Sequence, residues 1–386
     1  MNLFKLSLAA AATALIVGFS PVWAGDGAPP LRVGSFLSMT GGASFLGDPE
    51  KKALDIEVSA LNAKGGVNGR KIELVVYDDA GAADKAASFV KRLIESDKVD
   101  VIVGGSTTAT TMAAVALVEK AGIPFVSLAG AVVIVEPVKK WVFKTPHTDR
   151  LAAEKIFEDM KKRGIAKIGL ISEDAGFGKS GREQALLVAK NFGIEIVADE
   201  VYSAKDPDTT PQLTKIRSAP GLQALFNFGF GQGPAVVTRN YRQLGLSMPF
   251  YQSHGVASKE FVKLVGDAGE NIRLPASSLA VAEQLPTNDV QKAVVIAFRN
   301  AYEDAYKAEA STFAGYAYDG LHLVVEAVAR AGGGADKAKI RDEIEKTHDY
   351  VGVTGVFAMS PTDHMGLSPK SFHMTEIRHG DWVLLD

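Results

Sequence analysis

Between Val101 and Thr111 an apolar run ends in Gly104-Gly105 and passes into Ser106-Thr107-Thr108-Ala109-Thr110-Thr111. A buried strand that gives way to a hydroxyl-rich helix start leaves free backbone N–H groups beside side-chain hydroxyls. That combination suits a carboxylate or another anion. The same residues act as plain helix caps in any strand-to-helix turn, so both uses stand open for Thr107 and Thr108. A second turn of this kind is Ser127-Leu128-Ala129-Gly130-Ala131. Its small side chains would let a ligand approach the backbone at Ala129, Gly130 and Ala131, or would simply pack tightly.

Rings are the next signal. Phe45, Phe177, Phe228, Phe230 and Tyr251 fall in expected loops or at strand ends, where burial of a ring is not obligatory. Together they suggest the wall of a pocket for an apolar or aromatic ligand. Catalytic patterns fail by contrast. Gly178-Lys179-Ser180 has Glu173 where a phosphate loop needs its first glycine, and Gly229-Phe230-Gly231-Gln232-Gly233 lacks the dinucleotide spacing. No G-x-S-x-G turn occurs. The seven histidines are scattered, without metal-ligand spacing on one helix. Asp78-Asp79 reads more simply as a loop or helix cap than as an acid–base pair. The expectation is a binding protein with no catalytic residue, no metal and no cofactor. An exported hydrolase would need a nucleophile–base pair that these residues do not supply.

Strand-like and helix-like patterns alternate along the chain, as βαβ units require. Strands are expected at 31–36, 72–77, 99–103 and 124–128, with helices at 48–62, 84–96 and 108–120 between them. After Trp141-Val142-Phe143-Lys144 the pattern restarts, with strands at 167–171, 194–202, 224–228 and 250–252. Two runs of the same kind predict two doubly wound α/β lobes of Rossmann-like topology. Leu274-Pro275-Ala276 is expected to break the second run. Helical patterns at 289–306, 314–331 and 337–347 cannot form a domain alone and should pack back on the first lobe.

The N-terminus is a secretory signal by pattern: one basic residue, the apolar stretch Leu6 to Phe19, and Val22-Trp23-Ala24 before a polar segment. Cleavage near Ala24 is expected, and no later segment approaches the ~18 apolar residues of a membrane span. With no cysteine, disulfides and lipoprotein acylation are excluded, which points to a soluble periplasmic protein. The balance of 42 basic and 45 acidic residues argues against nucleic acid and against a polybasic membrane surface. At 386 residues the chain exceeds the usual single-core limit.

Several segments carry a closer likeness: Gly34-Ser35-Phe36-Leu37-Ser38-Met39-Thr40-Gly41, Leu61-Asn62-Ala63-Lys64-Gly65-Gly66-Val67-Asn68-Gly69-Arg70, and Tyr77-Asp78-Asp79. Asp100-Val101-Ile102-Val103-Gly104, Ala121-Gly122-Ile123-Pro124 and Tyr316-Ala317-Tyr318-Asp319 extend it. In these the chain resembles the branched-chain amino-acid-type binding proteins of ABC transporters, with the type I periplasmic binding fold. That resemblance implies two lobes joined by three crossovers, with a ligand clamped at the hinge. Lobe 1 would be 30–145 plus 276–368, and lobe 2 would be 146–275 plus 369–386. The crossovers would fall near Lys144 to His147, Leu274 to Ser277 and Ser368 to Phe372. The family also implies an inner-membrane ABC permease as partner, or a sensing role with the same fold. A monomer suits lobe closure. Thr108 matches the family's hydroxyl ligand, and Ala129 the position of a backbone contact.

The departures bear on the ligand. Family members hold a ligand ammonium with a threonine and an acidic residue, and here those positions match Ala131 and His254. A buried ammonium without a carboxylate partner is disfavoured. Family tyrosines are replaced by Phe177 and Phe230, with Phe45-Leu46 at the first-lobe loop, while Tyr318 is kept on the expected lining. The resemblance thus implies a carboxylate without an amino group and with an aromatic body, such as benzoate or benzoylformate. Thr107, Thr108 and the backbone at Ala129 and Ala131 would grip the acid and His254 would donate to it. Branched-chain or other aliphatic amino acids remain the alternative.

Overall fold

A computed structural model describes residues 29–385, and the expected export signal at 1–24 lies outside them. The first sheet grows from β1 (Leu31–Leu37), α1 (Ser44–Ala63), β2 (Ile72–Asp78), α2 (Ala83–Glu95), β3 (Val101–Gly104), α3 (Thr108–Ala121), β4 (Phe125–Ser127) and β5 (Val142–Lys144). Its strands are all parallel, in the order β2-β1-β3-β4-β5. The four residues of β3 are buried without exception, as a parallel strand covered on both faces demands. β5 is a strand the sequence pattern leaves out. It is only three residues long, and it completes the sheet beside β4. α1 starts earlier than expected, at Ser44, and carries Pro49 within it.

The second set is α4 (Asp149–Lys162), β6 (Lys167–Glu173), α5 (Gly176–Val188), β7 (Glu195–Tyr202), α6 (Thr210–Arg217), β8 (Ala224–Phe228), α7 (Gln232–Gln243), β9 (Phe250–Gln252), α8 (Lys259–Val265) and β10 (Ile272–Ala276). Leu274-Pro275-Ala276 therefore does not break the run but ends its last parallel strand. β10 pairs with β9 only through Ile272 and Arg273, so Pro275 lies past that ladder and its missing N–H costs no bond there. There follow α9 (Lys292–Tyr306), α10 (Thr312–Arg330), α11 (Lys337–Glu345), the small pair β11 (Tyr350–Val351) and β12 (Val356–Phe357), and the antiparallel β13 (His373–Arg378) and β14 (Asp381–Leu384). The second sheet runs β14-β13-β10-β9-β8-β6-β7.

α10 packs on α1 and β3 of the first lobe. It comes close because Gly320 has no side chain: a Cβ there would sit 3.0 Å from Val103. Each sheet has an apolar cluster on either face, and fully buried rings such as Phe125, Phe143, Phe157 and Phe226 anchor them. Each such ring contributes about 1.5–3 kcal/mol by leaving water. The chain passes between the sheets after β5, after β10 and before β13. His147 in the first crossing places Nε2 2.9 Å from Ser371 Oγ and donates to the Ser371 carbonyl at 3.1 Å, in the third. Ser278 after the second lies 3.1 Å from His373 Nε2. The three crossings are thereby bonded side to side.

Candidate functional site

In the first sheet β1 lies between β2 and β3, and in the second β6 lies between β7 and β8. Strand order reverses at both points, so the loops that follow diverge and leave a crevice at the carboxyl ends of the strands. The two crevices share one cavity. Leu46, Thr108, Gly130 and Tyr316 line it from the first lobe, and Phe177, Phe230 and His254 from the second. The space open to water centres is ≈ 40 Å³. A single water takes up about 10–15 Å³ by that measure, so the cavity holds a few waters or one small molecule.

On the first-lobe wall, most of the hydroxyls flagged above are already engaged. Thr107 Oγ1 accepts from the Thr110 N–H at 3.2 Å, and Thr110 Oγ1 accepts from the Thr107 N–H at 3.2 Å, which closes a capping box on α3. Thr111 Oγ1 donates to the Gly105 carbonyl at 2.9 Å. Ser106 accepts from the Ser38 N–H at 3.0 Å and donates to Glu50. Burial holds the Glu50 carboxyl well above its usual range, against the Ser106 hydrogen bond, and so favours the neutral form. Of the hydroxyls between Ser106 and Thr111, Thr108 alone is buried with no partner. The capping use therefore accounts for the Thr107 hydroxyl, and the open use falls to Thr108.

The second turn divides the same way. Ala129 N–H donates to Ser127 Oγ at 3.2 Å, so it is not free for a ligand, and Ala131 is wholly buried off the lining. Gly130 reaches the cavity. A Cβ there would meet the Phe177 ring at 2.8 Å and His254 Nε2 at 3.1 Å, so glycine is what lets the second lobe come this close. Behind it, the fully buried Lys144 donates from Nζ to the Gly130 carbonyl at 2.7 Å. Burial pushes its amine down to about 7, against the pull of Asp149 and Glu136.

The second-lobe wall is made of rings. Phe177 packs on Phe228 at 5.1 Å and edge-on to Phe230 at 6.1 Å. His254 stands edge-on to Phe177 at 5.3 Å, and although the His147 backbone lies beside it, neither of its ring nitrogens makes a hydrogen bond of good geometry. Burial, with the nearby Lys144 charge second, pushes its pKa down to about 3, so the imidazole is neutral at neutral pH. Tyr316 is a third buried group with an unpartnered hydroxyl. An orphaned buried polar group costs about 1–3 kcal/mol. Three of them, on Thr108, His254 and Tyr316, all belong to residues that line one cavity. A polar ligand group held between them would relieve that cost.

Several expected residues lie elsewhere. Phe228 is wholly buried behind Phe177. Phe45 packs at a tilt against Phe230 at 6.1 Å and edge-on to Phe313 at 5.7 Å, and lines an outer groove between the lobes. Tyr251 points to the α4 face of its sheet, where its hydroxyl donates to Asp159 at 2.7 Å and accepts from Arg163 at 2.6 Å. Tyr318 packs on Phe298 and stacks on His322, because two residues along a helix turn the side chain through about 200°. Tyr316 takes the place expected of it. Ser106, Leu128, Pro146, Gly255 and Phe313 also line the cavity and were not anticipated. The spacing of Phe313 and Tyr316, three apart in α10, is the signal that marks one face. Among the described residues no cluster of His, Cys, Asp or Glu could hold a metal ion, and no helix is long and apolar enough to cross a membrane.

A family model described as "Periplasmic binding protein" matches residues 30–380. The chain is 26% identical over 311 residues to the leucine-, isoleucine-, valine-, threonine-, and alanine-binding protein of Pseudomonas aeruginosa, covering 79% of each. An extracellular ligand-binding receptor from Rhodopseudomonas palustris superposes with a TM-score of 0.86 at 28% identity, over 92% of this chain and 99% of that one. The branched-chain amino acid transporter substrate binding protein of Streptococcus pneumoniae, solved in complex with isoleucine, gives 0.80 at 27% identity, over 92% and 100%.

Proposed function

The chain belongs to the periplasmic binding protein family, and from that premise we propose that it is the solute-capturing component of an ABC uptake system for a small carboxylate with an aromatic body. One observation carries the choice of ligand class: among the described residues no carboxylate side chain lines the cavity. The ammonium of an amino acid would lie there unpaired, at a cost of several kcal/mol, on the order of that for a buried lone charge. Two carboxyls lie behind the lining: Glu50 is turned to Ser106 and favours its neutral form, and Glu173 accepts the Phe230 N–H at 3.0 Å and is pushed up to about 7 by burial. Phe177 and Phe230 suit a flat ring. The Thr108 and Tyr316 hydroxyls can donate to a carboxylate, and neutral His254 can donate from one nitrogen to the acid or to a 2-oxo oxygen.

The competing reading is a branched-chain amino acid. It is favoured by the Pseudomonas aeruginosa relative, named for binding such residues, and by the isoleucine complex of the Streptococcus pneumoniae protein. Calorimetric titration with benzoylformate, benzoate, phenylalanine, leucine and isoleucine separates the two. The expected result is tight binding of an aromatic acid and weak or no binding of the amino acids. Tight leucine or isoleucine binding with no response to the acids would overturn it. The reading also entails capture without turnover, so long incubation followed by mass analysis returns the ligand unchanged. On this reading cell fractionation should find the protein in the periplasm, and a pull-down should recover an inner-membrane permease.

A further inference from the structure

Among the described residues Lys144 is the one wholly buried lysine, and its ammonium meets only main-chain carbonyls: Gly130 at 2.7 Å and, more weakly, Ala131 at 3.5 Å. No carboxylate among the described residues reaches ion-pair distance of it, although three N–H donors are available. The carbonyl it grips belongs to Gly130, which lines the cavity. We propose that Lys144 sets the charge preference of the site: its ammonium, one peptide behind the cavity wall, is the counter-ion of the bound carboxylate, and anion capture draws a proton onto it. This rests on the reading of a carboxylate ligand and adds which residue reads the charge.

The surroundings make Lys144 the group that responds near neutrality. From α4, Asp149 attracts it, but that carboxyl is itself buried, pushed above its usual range by burial, and accepts the Val132 and Arg150 N–H groups. Glu136, from the loop before β5, is committed to Arg150 at 2.8 Å. His254 from the second lobe and His147 from the crossing are both held below their usual range, by burial first, and stay neutral. His373, which opens β13, bears on His147. The Lys144 amine, pushed down to about 7, is partly neutral in the empty protein at neutral pH. A carboxylate nearby favours the charged form and raises that value. The sign follows. Below the empty-state pKa the proton is already present and anion affinity is full. Above it, binding must take up a proton, so affinity falls by up to about tenfold per pH unit until the bound-state pKa is passed. Glu173, behind Phe230 and pushed up to about 7 by burial, would bias affinity in the same direction and must be separated.

The test is a calorimetric pH series from about pH 6 to 8.5, in buffers of unlike ionisation enthalpy, on the wild type, Lys144→Met, Lys144→Arg and Glu173→Gln. Expected are proton uptake on binding benzoylformate or benzoate near pH 8 and a falling affinity above about pH 7 in the wild type and in Glu173→Gln. Made in the Glu173→Gln background, Lys144→Met should bind roughly 10–100-fold more weakly at pH 6, with a flat profile. Lys144→Arg in that background, always charged, should restore affinity with a profile equally flat, a rescue that lost folding could not mimic. A wild-type profile that is flat without proton uptake, or a slope that survives in the double variant Lys144→Met with Glu173→Gln, would overturn the proposal. If leucine rather than an aromatic acid binds, the ligand reading fails, and Lys144 is judged by the same series on the leucine carboxylate.

Discussion

Across the cavity, Thr108 and Gly130 of the first lobe face Phe177, Phe230 and His254 of the second. The first wall is short, polar and held from behind. Its helix start is locked by the Thr107–Thr110 box, Ser106 is tied to Glu50, and the Gly130 carbonyl is gripped by Lys144. The second wall is broad and apolar, and shape holds it: Phe177 rests on Phe228, and Phe228 rests where Gly181 leaves no room for a Cβ, the ring lying 2.0 Å from that position. The difference assigns the work of recognition. On the proposed reading, charge and most hydrogen bonds are pre-organised on one lobe, and rings on the other, with His254 among them, would sort the body of the ligand. Selectivity between an acid and an amino acid would then depend on what the second wall lacks.

The comparison breaks most sharply at His254. His254→Glu places a carboxylate among the rings, so an aromatic acid should lose at least ~100-fold in affinity, since an uncompensated buried charge costs about 3–5 kcal/mol. Leucine or phenylalanine should gain, and competitive titration reads both. Phe177→Ala removes a ring from the wall and should weaken an aromatic acid by about 2–3 kcal/mol, with less effect on an aliphatic one. Thr108→Val takes the unengaged hydroxyl from the first wall. It should cost about 1.5–2 kcal/mol of carboxylate affinity with little change in Tm. Thr110→Val should do the reverse, losing about 1 kcal/mol of stability through the cap. The smallest effect is expected from Tyr251→Phe, where ligand affinity stays within about twofold while stability drops by roughly 0.5–1.5 kcal/mol.

The fold was legible because its signals are local. Apolar runs closed by glycine, alternating with amphipathic helices, need no partner to be recognised as βαβ units, and both glycine-rich turns were found. Three-residue β5 offers too few positions for a period, so Lys144 went unmarked although it holds Gly130. Pro275 suggested a break, because sequence does not reveal that β9 stops pairing before it. In the site, residue types were readable but directions were not. Which threonine keeps a free hydroxyl depends on the capping box and on Gly105 and Ser127. Tyr251 turned out to serve Asp159 and Arg163, and Tyr318 to serve Phe298 and His322. Each of these depends on a partner far away in the chain.

The side-to-side bonds among the crossings also have a mechanical meaning. Separate struts can twist and slide past one another as readily as they bend. Joined laterally, through His147 to Ser371 and Ser278 to His373, with the His147 ring stacked on Phe372 at 3.7 Å, they act as a single flat spring. Torsion and shear then strain those bonds, and bending alone stays soft. If the lobes close on the ligand as proposed, a partner that feels the outside of the protein would meet one stroke with two ends, whatever molecule lies within.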